Sequence, residues 1–175
     1  GDRLIVGDEG DADFFSLREM TLADGEVKGA ILQRENAEVQ GVLADSNRVV
    51  HGVRFSGMYP SYEMFDADLH RDIKAVVNRF TSYAVFIDSW SADWSKVLLL
   101  VEGGAKASRY VVFDRSAKTL KEVSSARPSI KEEDVGEVVT IEFKARDGLK
   151  INGLITWPTG IPADQRKNLP FIVMP

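Results

Sequence analysis

The chain has 175 residues, 44% of them hydrophobic and 28% charged, with a formal net charge of -5, the composition of an ordinary globular protein. The acidic balance and the lack of any Lys/Arg cluster argue against a nucleic-acid or anionic-membrane surface, and no apolar stretch approaches the roughly 18 residues of a membrane span. With no cysteine, and His51 and His70 as its two histidines, the chain offers no disulfide, no thiolate nucleophile and no Cys- or His-rich zinc site.

The start, GDRLIVGDEG, lacks the charged and apolar regions of a signal peptide. The acidic stretch Gly7 to Asp13 lacks the spacing and terminal glutamate of a calcium loop and reads as a solvated turn. From here a repeat sets the organisation. Leu43 to Val50 (LADSNRVV) aligns with Ser91 to Leu98 (SADWSKVL) at an offset of 48, and the same offset places Tyr62 to Asp66 (YEMFD) on Tyr110 to Asp114 (YVVFD). One more step back brings Phe14 to Arg18 (FFSLR) into the column, and Arg3 aligns with Arg48 at offset 45.

Each copy has a polar turn leading into a β-rich strand (Leu4 to Val6, Val49 to Phe55, Val97 to Val101), then a second, aromatic strand. The first copy also predicts a hairpin turning at Asp24-Gly25, and the third a hairpin over RYVVFDRSAKTLKEV. Antiparallel units recurring every 40 to 50 residues are the signature of propeller blades. They are expected at about residues 1–43, 44–90 and 91–128 of a partial propeller filling 1–134. A β-sandwich with evenly spaced strands is the structural rival. In the second copy Leu69, Ile73, Val76, Val77 and Phe80 share one helical face, which predicts a helix over Ala67 to Phe80, capped by Asp66 or Asp68.

Near residue 135 the pattern changes. Ser129 and Glu132 have capping-box spacing and predict a short helical turn. Alternating residues on both sides of Asp147-Gly148 predict a hairpin, with Val139, Ile141 and Phe143 on one face. A polar loop, TGIPADQRKN, leads to LPFIVMP at Leu169 to Pro175, whose unbroken apolar run predicts a strand buried on both faces. Residues 135–175 are thus expected to open a mixed α/β domain.

The segment IEFKARDGLKINGLITWP followed by LPFIVMP resembles the start of the catalytic domain in the prolyl oligopeptidase family of serine peptidases. The stretch from Ser89 to Pro128 looks like the last propeller blade of its dipeptidyl-aminopeptidase and acylaminoacyl-peptidase-like branch, and the likeness extends best over Val85 to Pro175. The resemblance implies a β-propeller, here about three blades with one inserted helix, joined to the first strands of an α/β-hydrolase domain. It implies a hydrolase of short peptides whose propeller gates access by size, and whose His-Gly-Gly-Pro turn and G-x-S-x-G elbow come after Pro175. The chain has no G-x-S-x-G, so no catalytic residue is assigned, the piece by itself is expected to be inactive, and no cofactor or metal is expected. Peptides are the expected substrates of the parent; bare blade faces are expected to drive the piece to self-associate. Periplasmic, secreted and cytoplasmic locations all stay open.

Other candidates have blander readings. Gly103-Gly104 with Lys106 lacks the P-loop spacing and lies between strand-like runs. Tyr59 and Tyr62 form either a binding surface or, more simply, sheet-to-sheet packing; Trp90, Trp94 and Trp157 read as core residues. His51 is expected half-buried in a strand and His70 solvated on the first helical turn. The functional alternative is a non-catalytic TolB-like propeller acting as a binding scaffold, and a carbohydrate-binding β-sandwich is a third option.

Overall fold

The computed structural model describes residues 2–8, 15–32, 34 and 37–174, with the backbone alone at 8, 30 and 31. The chain is mainly β. Among the described residues the strands form four antiparallel sheets, accompanied by one α-helix. Phe14 and residues 9–13 of the acidic stretch lie outside the described residues.

The first sheet contains β1 (Arg3–Asp8), β2 (Ser16–Thr21) and β3 (Val27–Leu32) in that order. The β2–β3 hairpin turns at Asp24-Gly25, as its sequence predicts. Gly25 takes φ +73°, and the Asp24 carboxylate accepts the Glu26 amide at 3.0 Å. The second sheet contains β4 (Val39–Ala44), β5 (Val50–Phe55) and β6 (Ser61–Met64). The third is a four-stranded meander of β7 (Ala84–Trp90), β8 (Lys96–Glu102), β9 (Arg109–Asp114) and β10 (Thr119–Ser125).

These sheets correct the expected repeat boundaries. Cuts at 43/44 and 90/91 would part β4 from β5 and β7 from β8, yet each pair shares a ladder. The 48-residue spacing holds between the second and third units, at the turns of Asp45 and Asp93 and of Asp66 and Asp114, but both of these units start one strand earlier. An opening strand paired on one side, such as β7 with its two buried residues, carries a weaker sequence signal than a central strand such as β8 with three.

The spacing is visible in side-chain roles. Asp45 Oδ1 accepts the amides of Asn47 and Val49 at 2.9 Å each, and Asp93 Oδ1 accepts that of Ser95 at 3.0 Å, at equivalent turns. Asp66 and Asp114 each accept the amide three residues on, from Leu69 at 2.7 Å and from Ala117 at 3.0 Å. After Asp66 the chain enters α1 (Ala67–Val77); after Asp114 it turns into β10. The helix thus occupies the fourth-strand slot of the second unit. It ends at Val77, with Asn78 as its C-cap, short of the expected Phe80.

The core has two parts. One face of the second sheet gives Val53, Phe55 and Val39 to a cluster with Leu17 of the first sheet. Its other face gives Leu43, Tyr62 and Met64 to a larger cluster with Leu69, Ile73 and Val76 of α1 and with the third sheet. In β8 burial alternates strictly, with Val97, Leu99 and Val101 fully buried. The second sheet is therefore packed on both faces, between the first sheet on one side and α1 with the third sheet on the other.

A 3-10 turn at Glu132–Asp134 follows, with Lys131 at its N-cap and no side-chain cap. Ser129 does not supply the expected capping box. The fourth sheet pairs β11 (Val138–Lys144) with β12 (Lys150–Thr156) around Asp147-Gly148, in the predicted hairpin. Val139, Ile141 and Phe143 face Ile155, Gly153 and Ile151 in register. A second 3-10 turn spans Ala163–Gln165. The expected buried strand at 169–174 is not formed: the segment has no ladder partner among the described residues, and exposure runs from 71% at Phe171 to 88% at Met174. An apolar run becomes a strand only where a neighbour takes its N–H and C=O groups.

Candidate functional site

Among the described residues a concavity of about 440 Å³ lies where the third sheet meets the start of β11. Tyr59, Ser82, Tyr83, Gly104, Glu137 and Thr140 are among its lining residues. Its floor is the β8–β9 loop, where Gly103 (φ +87°) and Gly104 (φ +65°) take left-handed conformations open to glycine. A Cβ on Gly104 would come within 2.6 Å of the Tyr83 ring. Glycine is thus required there for the ring to lie flat on the loop. The Arg109 guanidinium sits 5.0 Å from that ring's centre. The Val138 amide donates to the Gly104 carbonyl at 3.1 Å, tying β11 to the loop.

On the other wall Glu137 accepts from Arg166 Nη2 at 2.8 Å, and Arg166 lies 5.0 Å over the Trp157 ring while donating from Nε to the Ile161 carbonyl at 3.2 Å. The cleft's carboxylate is therefore already neutralised by a fixed guanidinium. What remains for a ligand is hydroxyls, aromatic faces and backbone. Such a lining suits an uncharged polar or peptide-like group.

Neither histidine joins this cleft. His51 is half-buried, as its strand position suggests; its Nε2 lies 3.2 Å from Asp45 Oδ2 and its ring meets Trp94 edge-on at 5.4 Å. His70 is half-buried rather than solvated, because Nδ1 accepts the Met64 amide at 3.3 Å. Among the described contacts each histidine ring meets Asp45 or the Met64 amide and no serine, so these contacts assemble no nucleophile–base pair. Among the described residues there is likewise no group of three or more His, Cys, Asp or Glu side chains that could hold a metal ion, and no helix is long and apolar enough to cross a membrane.

The tyrosine pair divides. Tyr59 lines the cleft. Tyr62 is buried, its hydroxyl joining two sheets, and burial raises its pKa above the usual phenol range. Trp90 and Trp94 stack at 4.4 Å within the large core, as expected. Trp157 does not enter either core cluster; it packs under Arg166.

Sequence reasoning missed the Arg166–Glu137 pair and the buried Asp72, which accepts from Arg115 Nε at 3.1 Å and Lys118 Nζ at 2.6 Å. These partners are 29, 43 and 46 residues apart, and no local pattern announces them. The one available signal was an acidic residue on the apolar side of α1.

No family model matches the chain, and no curated protein matches it.

Proposed function

We propose that this chain is the gating portion of a serine peptidase of the prolyl oligopeptidase type: propeller-like blades over residues 1–134, joined at 135–175 to the first strands of an α/β-hydrolase domain. The observation that carries this reading is the order of parts. Stacked antiparallel sheets repeat at 48-residue spacing. A hairpin bearing Ala145-Arg146-Asp147-Gly148 follows, and then a two-sided apolar segment at 169–174 that lies open. A free-standing blade scaffold has no use for such a segment, whereas a parallel hydrolase sheet would bury it on both faces.

In this reading the cleft at Tyr59, Tyr83 and Glu137 lies where the blades meet the catalytic part, and its role is to admit short peptides and refuse folded chains. The Ser-His-Asp machinery belongs to the continuing chain. The coding sequence beyond the Pro175 codon tests this directly. His-Gly-Gly-Pro at once and a G-x-S-x-G elbow roughly a hundred residues later, in the order expected of an α/β-hydrolase, are the expected result. Absence of both would leave a non-catalytic binding scaffold.

A further inference from the structure

We propose that the seam between the third sheet and the β11–β12 hairpin is a binding site for a small oxyanion, a carboxylate or phosphate group. The site goes beyond the peptidase reading and does not depend on it. A second cavity, about 210 Å³, shares Gly104 and Val138 with the Tyr83 cleft. Its charge is one-sided. Lys106 and Arg127 line it together with Ser108 and Thr156, and no acidic residue does. The carboxylates nearest in sequence are engaged elsewhere: Glu122 lies 3.5 Å from Arg109, Glu133 3.3 Å from Lys131, and Glu137 2.8 Å from Arg166. Among the described residues neither Lys106 nor Arg127 has a carboxylate within ion-pair distance.

The β8–β9 loop adds neutral donors to these cations. Its carbonyls are used by the protein, Gly104 accepting the Val138 amide at 3.1 Å and Ser108 the Ala126 amide at 2.8 Å. Its amides are not. Among the described residues no N–H from Gly103 to Ser108 donates to a protein acceptor, although Gly103, Gly104, Ala107 and Ser108 are half-buried. Half-buried amides need an acceptor, and successive free amides in a turn beside fixed cations form the concavities that hold anions. No helix follows these glycines, which join β8 to β9, so the loop is not a P-loop.

The bonds that use the carbonyls also fix the walls. The Ala126 amide holds Arg127 beside the loop, and the Val138 amide holds β11. A Cβ on Gly136 would come within 2.0 Å of the Trp157 carbonyl, so glycine there lets the end of β12 close the far side. The volume is below the roughly 300 Å³ at which ligand pockets begin, which suits an end group rather than a nucleotide. Ile130, Val135 and Val138 line the cavity as well, leaving an apolar wall for a short substituent on the anion.

The test is a titration of the full 175-residue chain followed by amide NMR. The probes are inorganic phosphate, N-acetyl-leucine and the uncharged N-acetyl-leucine amide, each at constant ionic strength. Saturable shifts of the Gly103 to Ser108 amides are expected with phosphate, with N-acetyl-leucine, or with both, and none with the amide. Response to phosphate alone assigns the site to phosphate groups, and response to N-acetyl-leucine alone assigns it to carboxylates. Lys106→Gln and Arg127→Gln are each expected to weaken binding about tenfold, the effect of losing one charge-assisted hydrogen bond. Lys28→Gln, the same charge change on β3, is expected to leave it unchanged. Should Arg127→Gln disturb amides away from the cavity, Arg127→Met replaces it. Shifts that sodium chloride reproduces overturn the proposal, as do equal effects of all three glutamine variants or equal binding of the amide probe. None of these outcomes alters the reading of the gene beyond Pro175, so the two proposals fail separately.

Discussion

The Tyr62 hydroxyl donates to the Val85 carbonyl at 2.9 Å and accepts the Ile87 amide at the same distance. Val85 and Ile87 lie on β7, an edge strand whose ladder is one-sided. A side chain from the second sheet thereby satisfies backbone groups that the third sheet leaves open, a buried bond between units rather than within one. Tyr62→Phe is expected to cost about 1–3 kcal/mol, since a buried donor and acceptor lose their partner. Urea unfolding checks this; an unchanged midpoint would mean water reaches that edge.

Asp72 ties α1 to the third sheet through Arg115 and Lys118. Burial opposes its charge, but the two cations hold its carboxyl below the usual range. Asp72→Ala leaves Arg115, itself largely buried, without a counter-charge, and is expected to destabilise by about 3 kcal/mol. Lys118→Ala, on a side chain 56% exposed, is expected to cost under about 1 kcal/mol. Thermal melts of the two variants side by side decide the ranking.

Four aspartates titrate low for stated reasons. The Ser91 hydroxyl and the Ser95 amide and hydroxyl take Asp93 down to about 2. The Val49 amide and His51 lower Asp45, and Lys96 lowers Asp114; Asp72 is lowered as above. A carboxyl depressed in the folded state stabilises it above the unfolded value near about 4, and this contribution is lost as pH falls through the folded value. Stability is expected to be level from neutral pH down to about 5 and to fall steadily toward pH about 2. In Asp93→Asn the lower part of that fall is expected to be shallower, measured by urea midpoints across the acid range.

Gly104 combines φ +65° with a ring against its Cα. Gly104→Ala is expected to lose about 1–2 kcal/mol from backbone strain alone. Displacement of Tyr83 from the cleft floor should appear as a changed near-UV circular dichroism spectrum. At Gly148, φ +90° with open space around the position, the same substitution is expected to leave Tyr83 undisturbed.

The 175-residue chain is expected to stay unlabelled by a fluorophosphonate serine probe, while a chain continuing through a G-x-S-x-G elbow is expected to label stoichiometrically. Labelling of the shorter chain would reveal a serine nucleophile that neither histidine contact accounts for.

Much of this architecture is legible in the residues alone, wherever the cause is local. Asp24-Gly25 and Asp147-Gly148 set their hairpins because a left-handed glycine and an Asx turn need only neighbouring atoms. Asp66 starts α1 for the same reason, and the spacing of Leu69, Ile73 and Val76 fixes which face goes inward. The cleft is legible only in fragments: Tyr59 and the Gly103-Gly104 loop stand out in the sequence, but nothing in the chain's order shows that Glu137 and Thr140 line the same cleft.

The sequence by itself determined the 48-residue period, the turns and the alternation of burial in strands such as β8, because each depends on groups a few residues apart. Only the tertiary structure decided that β4 and β7 open their sheets, that Tyr62 caps the edge of β7, and that Asp72 finds Arg115. It also decided that the run at 169–174, for all its apolar character, makes no strand. Ladders and buried charges are completed by partners tens of residues away, and whether such a partner arrives is settled by packing, which no local pattern encodes.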